Sequence, residues 1–239
     1  MYHELLSRFM RVSTLYDTLC FVPKKGLEPF ELVGDFDCAL ENNTLYKAFI
    51  ALKAEGFGDI LDALMGEYAL HVSKKIPTGA GLGGGSSDAA TFLIMLNDKA
   101  HLGLTCNALM AIGARVGADV PFFVSGFKSA NVRGIGEVVE PFCEEALELE
   151  VLTPPIACHT GKVYGAFREY FMQTMDKDSA EKMLGLSSTE LLHTFSKEAL
   201  NDLYAPALKC YPALEAYAKE GWFFSGSGSS FFRILNEVK

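Results

Sequence analysis

Between Lys74 and Ala90 the chain reads KKIPTGAGLGGGSSDAA. Five glycines fall within the seven positions Gly79 to Gly85, and Ser86, Ser87 and Asp88 follow at once. Glycine loses more backbone freedom on folding than any other residue, so a run this dense asks for a reason. Three uses compete. The first is a phosphate cradle: bare backbone lets N–H groups converge on an anion, and a helix starting just after the glycines adds its positive end. Pro77 and Thr78 would then lead into the cradle. Gly79, Ala80, Gly81, Leu82, Gly83, Gly84 and Gly85 would line it, and Ser86 and Ser87 would offer hydroxyls to phosphate oxygens or to magnesium. The second use is a dinucleotide fold, because Gly79 to Gly84 also fits G-x-G-x-x-G. That motif wants a further parallel strand after the helix, ending in an acid, and the sequence here runs into a second helix instead. The third is a strained turn capped by Ser87 or Asp88, for which so many glycines are superfluous. A Walker loop is excluded, since no G-K-[ST] closes the run.

The elements that would carry this loop can be read from periodicity. The opening MYHELLSRFMRVSTLYDTLCF alternates like a strand and breaks at Pro23 and Gly26. NNTLYKAFIALKAEG has apolar residues at helical spacing, with Asn42 or Asn43 as cap. YALHVSKKI reads as a strand ending at Pro77, and a helix is expected from about Ser87 to Leu96. TCNALMAIGARVG is a second helix capped by Thr105. GADVPFFVSG reads as a tight loop entering an apolar strand, and SANVRGIGEVVEPF as a hairpin around Gly134 or Gly136. The acidic stretch CEEALELE is the best boundary, giving domains 1–145 and 146–239. Beyond it come a strand in EVLTPPI, helices capped at Thr160, Ser188 and Ser196, and a strand–loop–strand in GWFFSGSGSSFFRIL. The mixture suggests an α+β protein of two domains.

The totals narrow the possibilities. The 239 residues are 49% hydrophobic and 21% charged, as in a folded globular chain. A net charge of -9 argues against nucleic acid as a partner. Six dispersed cysteines without a C-x-x-C pair suit reduced thiols in a cytoplasm better than disulfides or zinc. The five histidines form no metal pair, so no metal ligands are assigned. No apolar run approaches the ~18 residues of a membrane span.

IPTGAGLGGGSSDAA resembles the signature of the GHMP kinases, most closely the group that phosphorylates 4-diphosphocytidyl-2-C-methyl-D-erythritol in the non-mevalonate route to isoprenoid precursors. GADVPFF (117–123) resembles that group's second block, SGSGSS (225–230) the third GHMP motif, and YHEL (2–5) and ENNTLYKA further stretches, so the likeness runs over nearly the whole chain. It implies a ribosomal protein S5 domain 2-like N-terminal domain, an α+β C-terminal domain and an active site in the cleft between them. It implies ATP and Mg²⁺, a cytoplasmic small-molecule kinase, and a substrate carrying cytidine diphosphate. It also implies roles: Asp119 as the base, Asn43 at the adenine, Tyr2 and His3 at the cytosine, and Tyr164, with Phe167 as fallback, as a second stacking ring. On the residues alone, Asp119 could instead brace its turn, and Tyr164 could belong to a buried helix face. The group also carries a first strand of K-[IVL]-N-L-[FY]-L type whose lysine partners the aspartate, and this pattern does not occur in the 239 residues. Two accounts stay open: the sequence begins downstream of the natural start, or the chain binds nucleotide without kinase activity.

Overall fold

The structure, a computed structural model, describes residues 5–174 and 177–235. Tyr2 and His3 lie outside these residues. The chain divides into two compact units. One holds the chain up to Phe9, Ser13–Lys75 and Gly84–Phe142; the other holds Met10–Val12, Ile76–Gly83 and the chain from Cys143 onward.

In the first unit, strands β1 (Leu5–Met10), β2 (Thr18–Pro23), β3 (Leu32–Val33), β4 (Tyr68–Ser73), β5 (Ser129–Gly134) and β6 (Val138–Pro141) form two small sheets, ordered β2-β4-β3 and β1-β5-β6. Strand β2 runs antiparallel to β4, with Thr18 opposite Ser73 and Pro23 opposite Tyr68, so Pro23 sits at a strand end, where its missing N–H does least harm. The helices are α1 (Thr44–Leu52), α2 (Gly58–Glu67), α3 (Gly84–Lys99), α4 (Cys106–Ala114) and α5 (Val120–Ser125). Asn43 starts α1, accepting the Leu45 N–H at 2.9 Å, and Thr105 starts α4 by accepting from Ala108. These are the local signals a capping residue supplies.

Helix α3 is the centre of this unit. Ala89, Ala90, Phe92, Leu93 and Leu96 are buried, packing with Phe30, Phe49, Leu52 and Leu70. Burial of each large side chain contributes roughly 1.5–3 kcal/mol. The helix ends where Asn97 turns its side chain to Leu104, accepting its N–H at 2.9 Å and donating to its carbonyl. The first residues of α3 are therefore anchored by the core that its later residues fill. Its start, at Gly84, lies three residues before the expected Ser87.

The segment VPFFV forms helix α5, where the apolar run had suggested a strand. The physical reason is visible at both ends. Pro121 supplies a helical φ in the first turn, and Gly126, at φ +75, ends the helix in the left-handed conformation. Phe122 then packs on Phe9, Ala130 and Val132 beneath the β1-β5-β6 sheet.

The second unit contains β7 (Leu149–Leu152), β8 (Phe223–Phe224) and β9 (Phe231–Ile234) in the order β7-β9-β8, all antiparallel. Its helices are α6 (Thr160–Ala166), α7 (Lys177–Met183), α8 (Ser188–Thr194), α9 (Lys197–Leu200) and α10 (Tyr204–Cys210). Val163, Tyr204, Leu214, Trp222, Phe224 and Phe231 make its core. Ser196 caps α9 as expected. Two other caps shift by one residue: Ser187, with Glu190 closing a capping box, precedes α8 in place of Ser188, and His159 precedes α6. The Thr160 hydroxyl instead shares a hydrogen bond with that of Ser227, 3.0 Å away.

Candidate active site

The glycine run follows strand β4 and ends in helix α3. Gly79, Gly81 and Gly83 have φ of +67, +69 and +68. Alternate left-handed residues of this kind strain any L side chain. Space adds a second requirement at Gly81, where a Cβ would overlap the Ser225 carbonyl and come within 2.7 Å of the Gly228 nitrogen. The segment is thus pressed backbone to backbone against SGSGSS. Three donors hold it there: Cys158 N–H reaches the Gly79 carbonyl (3.1 Å), Ser230 N–H the Ala80 carbonyl (2.9 Å) and the Ser225 hydroxyl the Gly81 carbonyl (2.8 Å). SGSGSS is itself braced, since Ser229 donates to the Pro154 carbonyl and the Ser230 hydroxyl meets that of Thr153. Among the described residues, the amides of Gly81, Leu82 and Gly83 donate to no other group. Carbonyls tied and amides left free is the electrostatic arrangement of an anion cradle.

The run continues into α3 through Gly84 and Gly85. The first N–H groups of a helix have no partner within it, and they point outward along the positive end of its dipole. The Thr44 hydroxyl donates to the Gly85 carbonyl at 2.9 Å, which sets the start of α1 beside the start of α3. Asn43, next to Thr44, is buried, and its side-chain oxygen is occupied by the capping bond. The Ser87 hydroxyl turns back to the Gly84 carbonyl. Ser86 is half-buried.

Asp119 lies between α4 and α5 at the cap position of α5, yet its side chain makes no capping bond. Among the described residues its half-buried carboxylate has no hydrogen-bond or ion-pair partner. Burial pushes its carboxyl above the ordinary aspartate range. A brace would be bonded, so this isolation speaks against the turn-holding alternative. The turn is held by glycines packed behind it. A Cβ on Gly113 would come within 2.7 Å of Val120, and one on Gly136, at φ +115, would overlap the Ala118 carbonyl. A Cβ on Gly117 would stand 3.8 Å from the Ser86 hydroxyl, so the turn carrying Asp119 passes close to the start of α3.

A further group went unnoticed in the sequence. Lys74 donates to both Asp17 and Asp88, the latter at 2.7 Å. The carboxylate side chains are 1% and 5% exposed, so both are effectively out of water. Asp17 also accepts the Lys75 N–H. Asp88 is one turn into α3, and burial, opposed by Lys74 and assisted by Asp17, pushes its carboxyl up to about 6. Nothing short-range signals this network, because Asp17 lies 57 residues from Lys74.

In the second unit, Val163 and Ala166 of α6 and Phe167 just after it are buried, whereas Tyr164 is half-buried. Of the two candidate rings, only Tyr164 retains exposed surface for a ligand.

Residues 43–127 match the family model described as GHMP kinases N terminal domain. The 4-diphosphocytidyl-2-C-methyl-D-erythritol kinase of Sulfurimonas denitrificans is 54% identical over 236 residues, covering 98% of this chain and 89% of that protein. The chain belongs to this family of GHMP kinases. Among solved structures, a 4-(cytidine 5'-diphospho)-2C-methyl-D-erythritol kinase superposes with a TM-score of 0.65 at 30% identity, over 98% of this chain and 81% of that one. The mevalonate kinase of L. major, at 13% identity, shares the fold with a TM-score of 0.60 over 98% and 82%. The α+β GHMP kinase architecture and a small-molecule kinase activity follow from this membership. No helix among the described residues is long and apolar enough to cross a membrane.

Proposed function

We propose that this chain is the ATP-dependent kinase that phosphorylates the 2-hydroxyl of 4-diphosphocytidyl-2-C-methyl-D-erythritol, acting in the cytoplasm as a domain 1–145 joined to a domain 146–239. The observation that carries the reading is the identity of 54% to an enzyme of that name along 98% of the chain. The local chemistry supports it. Residues 77–87 receive the triphosphate: free amides of the glycine segment meet phosphate oxygens, and the N-terminus of α3 places its dipole on the same charge. Asn43 borders the adenine, and Tyr164, with Tyr2 and His3, takes the cytosine. Stacking tolerates any base, so hydrogen bonds must choose cytosine.

Phosphoryl transfer asks mainly for positioning and charge stabilisation, with one group to take the proton of the attacking hydroxyl. Asp119 is suited to that task. It is unbonded, and burial raises its affinity for a proton toward the range useful in a base. Among the described residues no group of three His, Cys, Asp or Glu could hold a metal. Magnesium bound with the triphosphate would spread the phosphate charge, and the Ser86 hydroxyl is the protein group that would help hold it.

The test is ADP release in the presence of 4-diphosphocytidyl-2-C-methyl-D-erythritol, mevalonate or homoserine. Turnover is expected with the first alone. Preference for mevalonate or homoserine would sink the substrate assignment, and binding of ATP without turnover on any of the three would sink the kinase assignment.

A further inference from the structure

The network of Lys74, Asp17 and Asp88 has no part in the chemistry above, yet it sits at both ends of the glycine run. Lys74 closes the strand side, and Asp88 lies on the fifth residue of α3, about 6 Å along the axis from its start. An anion at a helix N-terminus benefits from the free N–H groups and the dipole there. A buried carboxylate one turn deeper works against the same anion, and water that is excluded cannot screen it. Its charge must be cancelled by something close. Lys74 is close: two of its three N–H donors are already committed to Asp17 and Asp88.

Resting on the reading of residues 77–87 as a triphosphate site, we propose that Lys74 is a positioning residue acting through Asp88. By neutralising that carboxylate it keeps the start of α3 receptive to polyphosphate. At pH 8 Lys74→Met lowers the charge of the network by one, Asp88→Asn raises it by one, and the double variant leaves it unchanged. Affinity for polyphosphate should follow this change in charge. A clasp that merely shapes the loop makes a different prediction, because each substitution would loosen it and the double variant would be worst.

The measurement is calorimetric binding of the non-hydrolysable triphosphate adenylyl imidodiphosphate and of uncharged adenosine to the 239-residue chain. Lys74→Met should weaken the triphosphate about tenfold, and less so as salt is added, while adenosine changes by less than about twofold. Asp88→Asn should bind the triphosphate at least as well as the unaltered chain. The double variant should return to within about threefold of it. Equal loss for both ligands in Lys74→Met, a weaker triphosphate complex in Asp88→Asn, or a double variant worse than either single change would overturn the proposal. If Lys74→Met does not fold, Asp88→Asn and the double variant still decide between charge and clasp. Failure of the unaltered chain to bind the triphosphate would be a different result: it removes the reading of the site, and this inference with it.

Discussion

The glycine run and the Asp119 turn solve opposite problems. Along residues 79–85 five of the seven residues are glycine, and the chain holds this segment by its carbonyls through Cys158, Ser225 and Ser230. At the Asp119 turn the chain keeps one side chain, leaves it unbonded, and holds the backbone by placing Gly113 and Gly136 behind it. In the first region the glycines leave backbone amides unbonded; in the second they pack against the backbone and side chain of the turn. The contrast teaches that a glycine-rich signature does not by itself say which atoms do the work. Where the carbonyls are spoken for, the amides are the groups left to offer a ligand. Where glycines pack against a turn, the adjoining side chain is.

The sharpest break in this comparison is Asp119→Asn. The amide keeps the shape and cannot accept a proton, so kcat should fall by ~10²–10⁴-fold while nucleotide affinity stays put. Stability should move the other way. A carboxyl whose folded pKa is raised above its unfolded value favours the folded state most at low pH and loses that contribution as pH rises through the folded value. Above the folded value the ionised Asp119 is therefore a burden, and in that pH range Asp119→Asn should melt at a higher temperature than the unaltered chain. A lower melting temperature with a normal rate per folded molecule would instead make Asp119 a brace. The raised pKa also places the acid limb of the kcat/KM profile above the ordinary aspartate range.

Next in size is Gly81→Ala, which tests the other side of the comparison. The new Cβ needs a left-handed φ and collides with the backbone of Ser225 and Gly228. A cost of roughly 1–3 kcal/mol in stability is expected, with nucleotide binding lost alongside. Intact binding would mean that the segment does not need its contact with SGSGSS. The smallest effect on stability belongs to Gly85→Ala. Gly85 has a helical backbone, and a Cβ there would meet only the Thr44 side chain, at 3.3 Å. Alanine's better helix propensity offsets that crowding, so unfolding free energy should stay within about 0.5 kcal/mol. If the bare surface at the start of α3 serves a ligand, the triphosphate complex should nonetheless weaken; unchanged affinity would show that Gly85 is bare for no ligand's sake.

Features that depend on near neighbours were legible in the sequence. Asn43, Thr105 and Ser196 announce their helices because a capping side chain acts within three residues of itself. The hairpin at Gly134 and Gly136 was readable for the same reason. Helix α5 was not, because the five residues VPFFV, with no polar position among them, carry no periodicity to separate strand from helix. The deciding signals are Pro121 and Gly126 at its edges. The site divides similarly. The glycine segment is a local pattern, and the acid in GADVP could be placed by resemblance. The Lys74 network could not, since its partners come from 57 and 14 residues away. Nor could the packing of Gly136 on Ala118, or the grouping of Ile76–Gly83 with the second unit, because both depend on contacts that only the folded chain creates.

The bond from the Ser225 hydroxyl to the Gly81 carbonyl spans 144 residues. During synthesis at about 5–20 residues per second, Ser225 is made roughly 7–30 s after Gly81. For that interval the glycine segment exists without the donors from Ser225 and Ser230 that shape it, as a flexible stretch open to proteases. The glycine segment is then one of the last parts of the molecule to mature, although its own residues are made well before Ser225. Pulse-labelled nascent chains should show it: cleavage near Gly81 should persist until SGSGSS has left the ribosome and stop soon after. Protection before that point would mean that the segment holds its shape alone.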